Sequence, residues 1–522
     1  MTLGHSPPHE DAFISTSAYC RDRLSATSIY ALLHREGHRL FPEESFADLF
    51  ADIGRASVPP RVVSVVMILQ RLEGLSDREA VDRFSFDLRW KYAAGGLDYD
   101  HPGFVHTVLV DMRSRLRRSE RPDRVFEMVL DVAKKAGLVG RKRVMDSTPL
   151  YDAVATQDTV TLVRSAIRAL LRSSNGPLAA ELRAQLRRDD DYVAPGKPVC
   201  DWDDSAAREA VVDALVQDAD ALLKVVQDRD LSPETNQAAQ LLATVVGQDI
   251  DKSDDGKFRI ARRVAKDRVI STVDPEARHG HKTAARGFDG YKGHVAVDPD
   301  SEIITATAVT AGNVADGVPA EALLSDILVA PSATASATPS ANAAKVYGDA
   351  SYGTADLVDK IEAVGAEANV KVQPPSARAG HFSKSDFKID VDANTVECPA
   401  GQLVEIGKSA EGGGLAHFGA ACTDCKLRSQ CTDSKAGRIV NVHPKEATLQ
   451  RSRERQSTRD WKDDYRATRP KVERKLAHLM FRRHGGRRAR MRGQIRVAQD
   501  FAWLSAAHNL KRLALLGADL SA

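Results

Sequence analysis

No run of eighteen apolar residues occurs anywhere in the 522-residue chain, which excludes the usual bilayer-crossing helix. The first ten residues, MTLGHSPPHE, lack the basic-then-apolar order of a secretory signal, so a cytoplasmic protein without membrane association is expected. Net charge is scarce as well, at +2, and cysteine is limited to six residues. What remains is a chain that is 43% hydrophobic, consistent with a soluble globular protein. Its length exceeds what one ordinary core can organise, so two to four structural units are expected.

The small net charge conceals segregation. From Pro470 to Arg496 there are ten Lys or Arg residues and a single acid, Glu473. A run of this kind is either a solvated helix face or a phosphate-binding surface, where concentrated positive charge gains affinity by releasing counterions. One acid embedded among the bases favours the second reading.

Hydrophobic periodicity divides the chain. Residues 1–57 show little of it and read as a leader. Residues 58–140 read as a helical domain: RVVSVVMILQRLEG is amphipathic, Ser76 and Asp77 can cap SDREAVDRF, and HTVLVDMRSRLRRSERPDR continues as a basic helix. Such a domain could bind DNA ends or serve dimerisation. RVMDSTPL then reads as a strand with Asp146 near its end. Residues 156–268 are a helical insertion, long enough to form its own subdomain. In GYKGHVAVDPDSEIITATAVT two β-rich runs flank the turn Asp298-Pro299-Asp300, a hairpin signal. After the helix PAEALLSDILVA comes the low-complexity stretch PSATASATPSANAA, read as a surface loop. The strand AKVYGDASYG runs into Asp349, followed by the helix TADLVDKIEAVG and the strand ANVKVQPP. Residues 141–155 and 269–378 therefore predict an α/β unit with a mixed sheet and flanking helices, and 446–522 supply further helices to it.

Cys20 and Cys200 stand alone and read as ordinary thiols. Cys398 in CPAG, with Cys422, Cys425 and Cys431 in CTDCKLRSQC, forms a cluster within 379–445. C-x2-C spacing lets two thiolates meet one tetrahedral ion, and a reducing compartment disfavours disulfides. The expectation is a small β-rich zinc knuckle, or another thiolate metal site, that is structural because four thiolates leave no open position.

Acids at the ends of neighbouring strands, with one more from a helix packed close by, are what a pair of hard divalent ions about 4 Å apart needs for phosphodiester chemistry. Asp146 and Asp349 meet the strand requirement and Glu473, on TRPKVERKLAHLMFRR, meets the helix requirement. Taken together, MDST at Asp146, the FDGYKGHVAVD hairpin, YGDASYG at Asp349, the clustered cysteines and YRATRPKVERK at Glu473 resemble the DDE transposases of bacterial insertion sequences. The similarity is to the branch with a cysteine-bearing insertion before the final glutamate, and it runs from about residue 58 to NLKRL near the end.

The resemblance implies a ribonuclease-H-like fold and cut-and-join chemistry with two Mg2+ (or Mn2+) ions held by Asp146, Asp349 and Glu473, in addition to the structural Zn2+. It implies DNA as partner, both the terminal inverted repeats and the target, and a homodimer in the DNA complex. Arg469 matches a family arginine and would clamp phosphate. Tyr465 stands one residue further from that arginine than the family tyrosine, and Met480 replaces a DNA-contacting lysine, with Arg482 and Arg483 near enough to substitute. Arg474, Lys475, Arg487, Arg488 and Lys292 complete the expected DNA-contacting set. Arg278, His279, His281, Lys282 and Arg286 precede the hairpin and read as backbone contacts, while Asp274, Asp289 and Asp316 are competing acids, of which Asp274 and Asp316 lack a strand-end setting. Two rival readings are a nuclease that never rejoins DNA and a non-catalytic DNA-binding protein.

Overall fold

Caps and burial explain the helices at the start of the chain. The computed structural model describes residues 15–51, 53–54, 56–152, 156–190, 192–283, 285–329, 343–409 and 412–517. Part of the expected leader (1–14) and most of the low-complexity stretch (331–342) lie outside these residues. Helix Ile29–Leu40 begins where the Ser28 side chain accepts from the Ala31 amide, and it buries Leu32, Leu33 and Leu40. Helix Pro60–Glu73 starts on proline, which gives up no intrahelical hydrogen bond at that position, and it is buried from Val62 through Arg71. Helix Asp77–Phe86 opens with a capping box between Ser76 and Glu79. Helices thus form before residue 58. Ile29, Leu32 and Leu33 do carry helical spacing, but over only twelve residues, too short a stretch to stand out.

The central sheet is built from six strands. β1 (Lys142–Tyr151) comes first, and the insertion that follows consists of helices including Thr159–Ser173, Ser205–Val226 and Pro233–Asp249, with the hairpin β2 (Ile250–Lys252) and β3 (Phe258–Ile260). The chain then returns through β4 (Arg278–Thr283), β5 (Arg286–Val297), β6 (Ile304–Ala311), β7 (Lys345–Gly348) and β8 (Glu367–Val370). β5 lies antiparallel to β1 along one edge, and β4 and β6 follow one another along its other edge. β1–β7 and β7–β8 are parallel, so the sheet is mixed as expected. The expected hairpin is the β5–β6 pair, and its turn is tied by the Asp298 carboxylate, which accepts from the amides of Asp300 and Ser301.

Side-chain alternation assigns the two faces of the sheet. Val144, Val295 and Tyr347 point into one core together with Val65, Ile68 and Leu69 of the first helices and Leu504 and Leu510 of helix Gln494–Leu516. Met145, Ala296 and Val346 point the other way, against Leu357, Val358 and Ile361 of helix Ala355–Ala363. The insertion has a core of its own around Leu162, Ile167, Leu215, Leu222 and Leu242. The cysteine region is a five-stranded antiparallel sheet, β9 (Lys388–Asp390), β10 (Thr395–Glu397), β11 (Leu403–Lys408), β12 (Gly414–His417) and β13 (Ile439–Val442), paired in sequence order. Phe387, Val396, Ile406 and Phe418 fill it.

The basic C-terminal segment is clamped between these parts. Arg487 and Ala489 hydrogen-bond through their backbones to Tyr151 at the end of β1, at 2.8 Å each. Arg71 donates to the His484 carbonyl and pairs with Asp500 at 3.0 Å. Gly74 ends its helix at φ +71°, and a Cβ there would meet the Arg483 carbonyl at 2.3 Å. Glycine is thus required twice over, for the left-handed cap and for the close approach.

Candidate active site

The sheet itself brings the first two acids together. β1 and β7 run parallel with Lys142, Arg143 and Val144 opposite Lys345, Val346 and Tyr347, and continuing that register by two residues sets Asp146 opposite Asp349. Asp349 follows the last residue of β7, as expected, whereas Asp146 sits in the middle of β1 rather than near its end. The reason is that β5 pairs with β1 well beyond the point where β7 stops, so β1 continues as a strand to Tyr151.

The third acid arrives on helix Pro470–Leu479, which buries Val472 and Leu476 in the core that β1 faces. Just before it, Arg469 links all three. One guanidinium nitrogen lies 3.1 Å from Asp146 and 3.8 Å from Asp349, and the other lies 3.6 Å from Glu473. Side-chain exposure rises from 14% at Asp146 to 40% at Asp349 and 63% at Glu473, so the group opens to solvent on the glutamate side.

Burial pushes the Asp146 carboxyl up to about 6; Arg469 and the Ser147 amide oppose this and the Asp349 charge adds to it. Arg469, itself buried, is raised in turn by Asp146 and its other anionic neighbours despite desolvation. Three ionised carboxylates around one guanidinium leave two negative charges uncompensated, and such a donor set suits hard divalent cations. Among the described residues no group of three or more His, Cys, Asp or Glu stands ready to hold a metal ion. Here the carboxylates each face Arg469 instead.

A second network lies alongside. Asp316 accepts from the Ser147 hydroxyl at 2.7 Å and pairs with Lys292 at 2.8 Å. Burial, together with the charges of Asp316, Asp146 and Asp349, raises the Tyr352 hydroxyl, which places Asp316 in the same electrostatic basin as the two strand acids. Tyr352 lies 3.3 Å from Nδ1 of buried His294, whose other nitrogen is 2.9 Å from Thr310. Burial lowers His294 to about 4. The only sequence signal for Asp316 was its place after a strand, which is shared by many loop acids.

The basic residues divide by exposure. Arg482, Arg483, Arg487 and Arg488 are exposed, and the backbone bonds to Tyr151 hold the last two at the end of β1. Arg474 is exposed and paired with Glu302. Lys475 is 3% exposed, and burial lowers it to about 8, so it does not share the outer surface with these arginines. Lys292 is engaged by Asp316 and by the Val314 carbonyl. Arg278 pairs with Asp267, and His279 with Asp289. Lys282 and Arg286 are exposed in the hairpin. Asp274 is buried, accepting from Tyr291 at 2.7 Å and from the Gly493 amide, which is a structural setting. Tyr465 donates to the Gly348 carbonyl at 3.2 Å, next to Asp349, and Met480 is buried.

The four clustered cysteines line one small cavity together with Phe382, Phe387 and Phe418. Two of the sulfurs accept from backbone amides, Cys398 from Gln402 and Cys422 from Arg438, each at 3.4 Å. Cys20 and Cys200 lie elsewhere, one buried and one half-buried.

Residues 397–514 match the transposase DDE domain, a stretch that contains the cysteine cluster, Arg469 and Glu473. Residues 26–115 match the transposase domain DUF772, so the likeness starts earlier than residue 58 and takes in helix Ile29–Leu40. No curated protein and no solved structure matches the chain. Transposase domains thus match two separate stretches of the chain, one towards each end, and together they support a DDE transposase of insertion-sequence type. No helix among the described residues is long and apolar enough to cross a membrane.

Proposed function

We propose that the protein cuts DNA at the ends of a mobile element and joins the freed 3′-hydroxyl to target DNA, with Asp146, Asp349 and Glu473 as the catalytic acids. The observation that carries this reading is the meeting of those three carboxylates, 203 and 124 residues apart in the chain, at one guanidinium. The strand order, with an antiparallel β6-β5-β1 half and a parallel β1-β7-β8 half, supports a ribonuclease-H-like description of the core.

Asp146 and Asp349 would hold two Mg2+ or Mn2+ ions, with Glu473 completing the set. When bound, such ions neutralise charge on the reacting phosphate and favour the attacking and leaving oxygens. Exposed Glu473 orients the attacking water or 3′-hydroxyl. Arg469, released from the carboxylates once other cations neutralise them, offers a forked donor to a phosphate oxygen. Arg482, Arg483, Arg487 and Arg488 grip the flanking backbone, while the first helices read sequence or pair two copies as a homodimer. Both displacement steps ask for the same alignment and charge neutralisation, so one set of acids serves both. The four cysteines line one cavity and would draw together to hold a structural zinc, since they are not grouped at ligand distance without it.

The test is a strand-transfer assay with the element's own ends. Joined products that vanish in Asp349→Asn and Glu473→Gln support the reading. Cleavage without joining would assign a nuclease, and activity unchanged by either substitution would remove the acids from the chemistry. Metal analysis of the purified protein, with and without Cys425→Ser, reports on the zinc.

A further inference from the structure

Helix Pro470–Leu479 carries Glu473 on one side, and two residues later it turns Lys475 toward a different cavity. The cavity, of about 300 Å3, is walled by this helix, by Phe481 and His484, and by His508, Lys511 and Arg512 of helix Gln494–Leu516. Its one acid, Glu302 of the β5–β6 turn, is already paired with Arg474 outside.

Two buried polar groups inside are poorly compensated. Lys475 is 3% exposed, and the opposite charge that acts on it is Glu302, which it shares with Arg474 and Arg512. His508 is 5% exposed, and its Nε2 has no hydrogen-bond partner. His484 stacks edge-on against His508 at 4.8 Å, with its Nδ1 turned away to the Leu72 carbonyl. Burying an ammonium costs several kcal/mol unless something of opposite charge compensates it, and a donor left unpaired adds to that cost. Exposed His478 and Lys511 stand at the mouth, where they would draw an anion in.

We infer that this cavity is a phosphate-binding site, in which Lys475 and His508 hold a phosphate group that enters past His478 and Lys511. Its chemistry is that of a phosphate monoester or diester: a small anion with several acceptor oxygens, matched by an ammonium, an imidazole N–H and the flanking cations. The group could come from a DNA backbone or from free phosphate. It is separate from the carboxylate centre, so its existence does not depend on the cut-and-join reading.

The test is thermal unfolding of the full chain in inorganic phosphate against chloride at equal ionic strength. Wild type should show a saturable rise in Tm with phosphate, and the apparent affinity should fall at least tenfold in Lys475→Met and in His508→Gln. Arg459→Ser, which removes a charge from a 92% exposed side chain, should leave the response intact. No saturable response in wild type, or a response as tight as wild type in both pocket variants, would overturn the site. If one pocket variant fails to fold, the other still decides. Repeating the titration on protein saturated with a DNA duplex separates the sources: loss of the phosphate response places a backbone phosphate in the pocket, and its persistence assigns the pocket to free phosphate. No strand transfer is measured, so failure here and failure of the cut-and-join reading can be told apart.

Discussion

The two sides of helix Pro470–Leu479 have opposite imbalances of charge. On the Glu473 side three carboxylates share one guanidinium, while on the Lys475 side buried cationic and imidazole groups share one acid that is already paired elsewhere. A folded chain tolerates uncompensated charge near its surface, where water screens it, but both clusters include a group almost out of solvent: Asp146 on one side and Lys475 on the other. The comparison teaches that one helix separates two clusters of opposite need, one short of positive charge and the other short of negative charge.

The most forceful way to break that comparison is to remove the acids. Asp349→Asn or Glu473→Gln should lower strand transfer by roughly a thousandfold or more, the equivalent of several kcal/mol of charge stabilisation, as read from joined products. Arg469→Gln attacks the same side from within. With Asp146 and its neighbours uncompensated, unfolding in denaturant at pH 8 and without divalent ions should show a loss of about 3 kcal/mol. Because burial already raises Asp146 to about 6, the folded state takes up a proton more readily than the unfolded chain. The loss should therefore shrink as pH falls below that value, and Mg2+ should restore stability at pH 8.

His294 sharpens the picture of the network beside the acids. Its folded value of about 4 lies below the ordinary 6.5, so the unfolded chain binds the extra proton between those limits. Stability should be full above about pH 6.5 and fall by up to roughly 3 kcal/mol as pH drops to about 4; His294→Gln should flatten this window relative to wild type. The smallest effect belongs to the cationic side. Lys475→Met removes a buried ammonium whose counter-charge, Glu302, is shared with two arginines, while keeping the volume, and it should raise phosphate-free stability by on the order of 1 kcal/mol in denaturant titrations.

Legibility differed from element to element. The β5–β6 hairpin could be read directly, because alternating β-branched residues flank a turn of Asp, Pro and Asp whose own side chains tie it. Asp349 was readable for a similar reason, since a short apolar strand ends on it. Asp146 was misplaced along its strand, because pairing with β5 extends β1 past the point where apolar residues stop. The pairing of Arg278–Thr283 with β5 was missed, as its run RHGHKT has no apolar alternation and is held by backbone bonds to a neighbour. Lys475 could not be distinguished from Arg474 in a basic run. Which of two adjacent cations turns inward depends on the angle at which the helix meets helix Gln494–Leu516.

Local chemistry alone determined which residue types were available: the acids after apolar strands, the capped helices, the paired cysteines and a basic segment with one glutamate inside it. Only the tertiary structure decided which of them meet, because a single parallel register between β1 and β7 sets Asp146 beside Asp349, and one helix docking on that sheet brings Arg469 and Glu473 to them. Register and docking angle arise from burial shared across distant segments, and that quantity belongs to no stretch of sequence by itself.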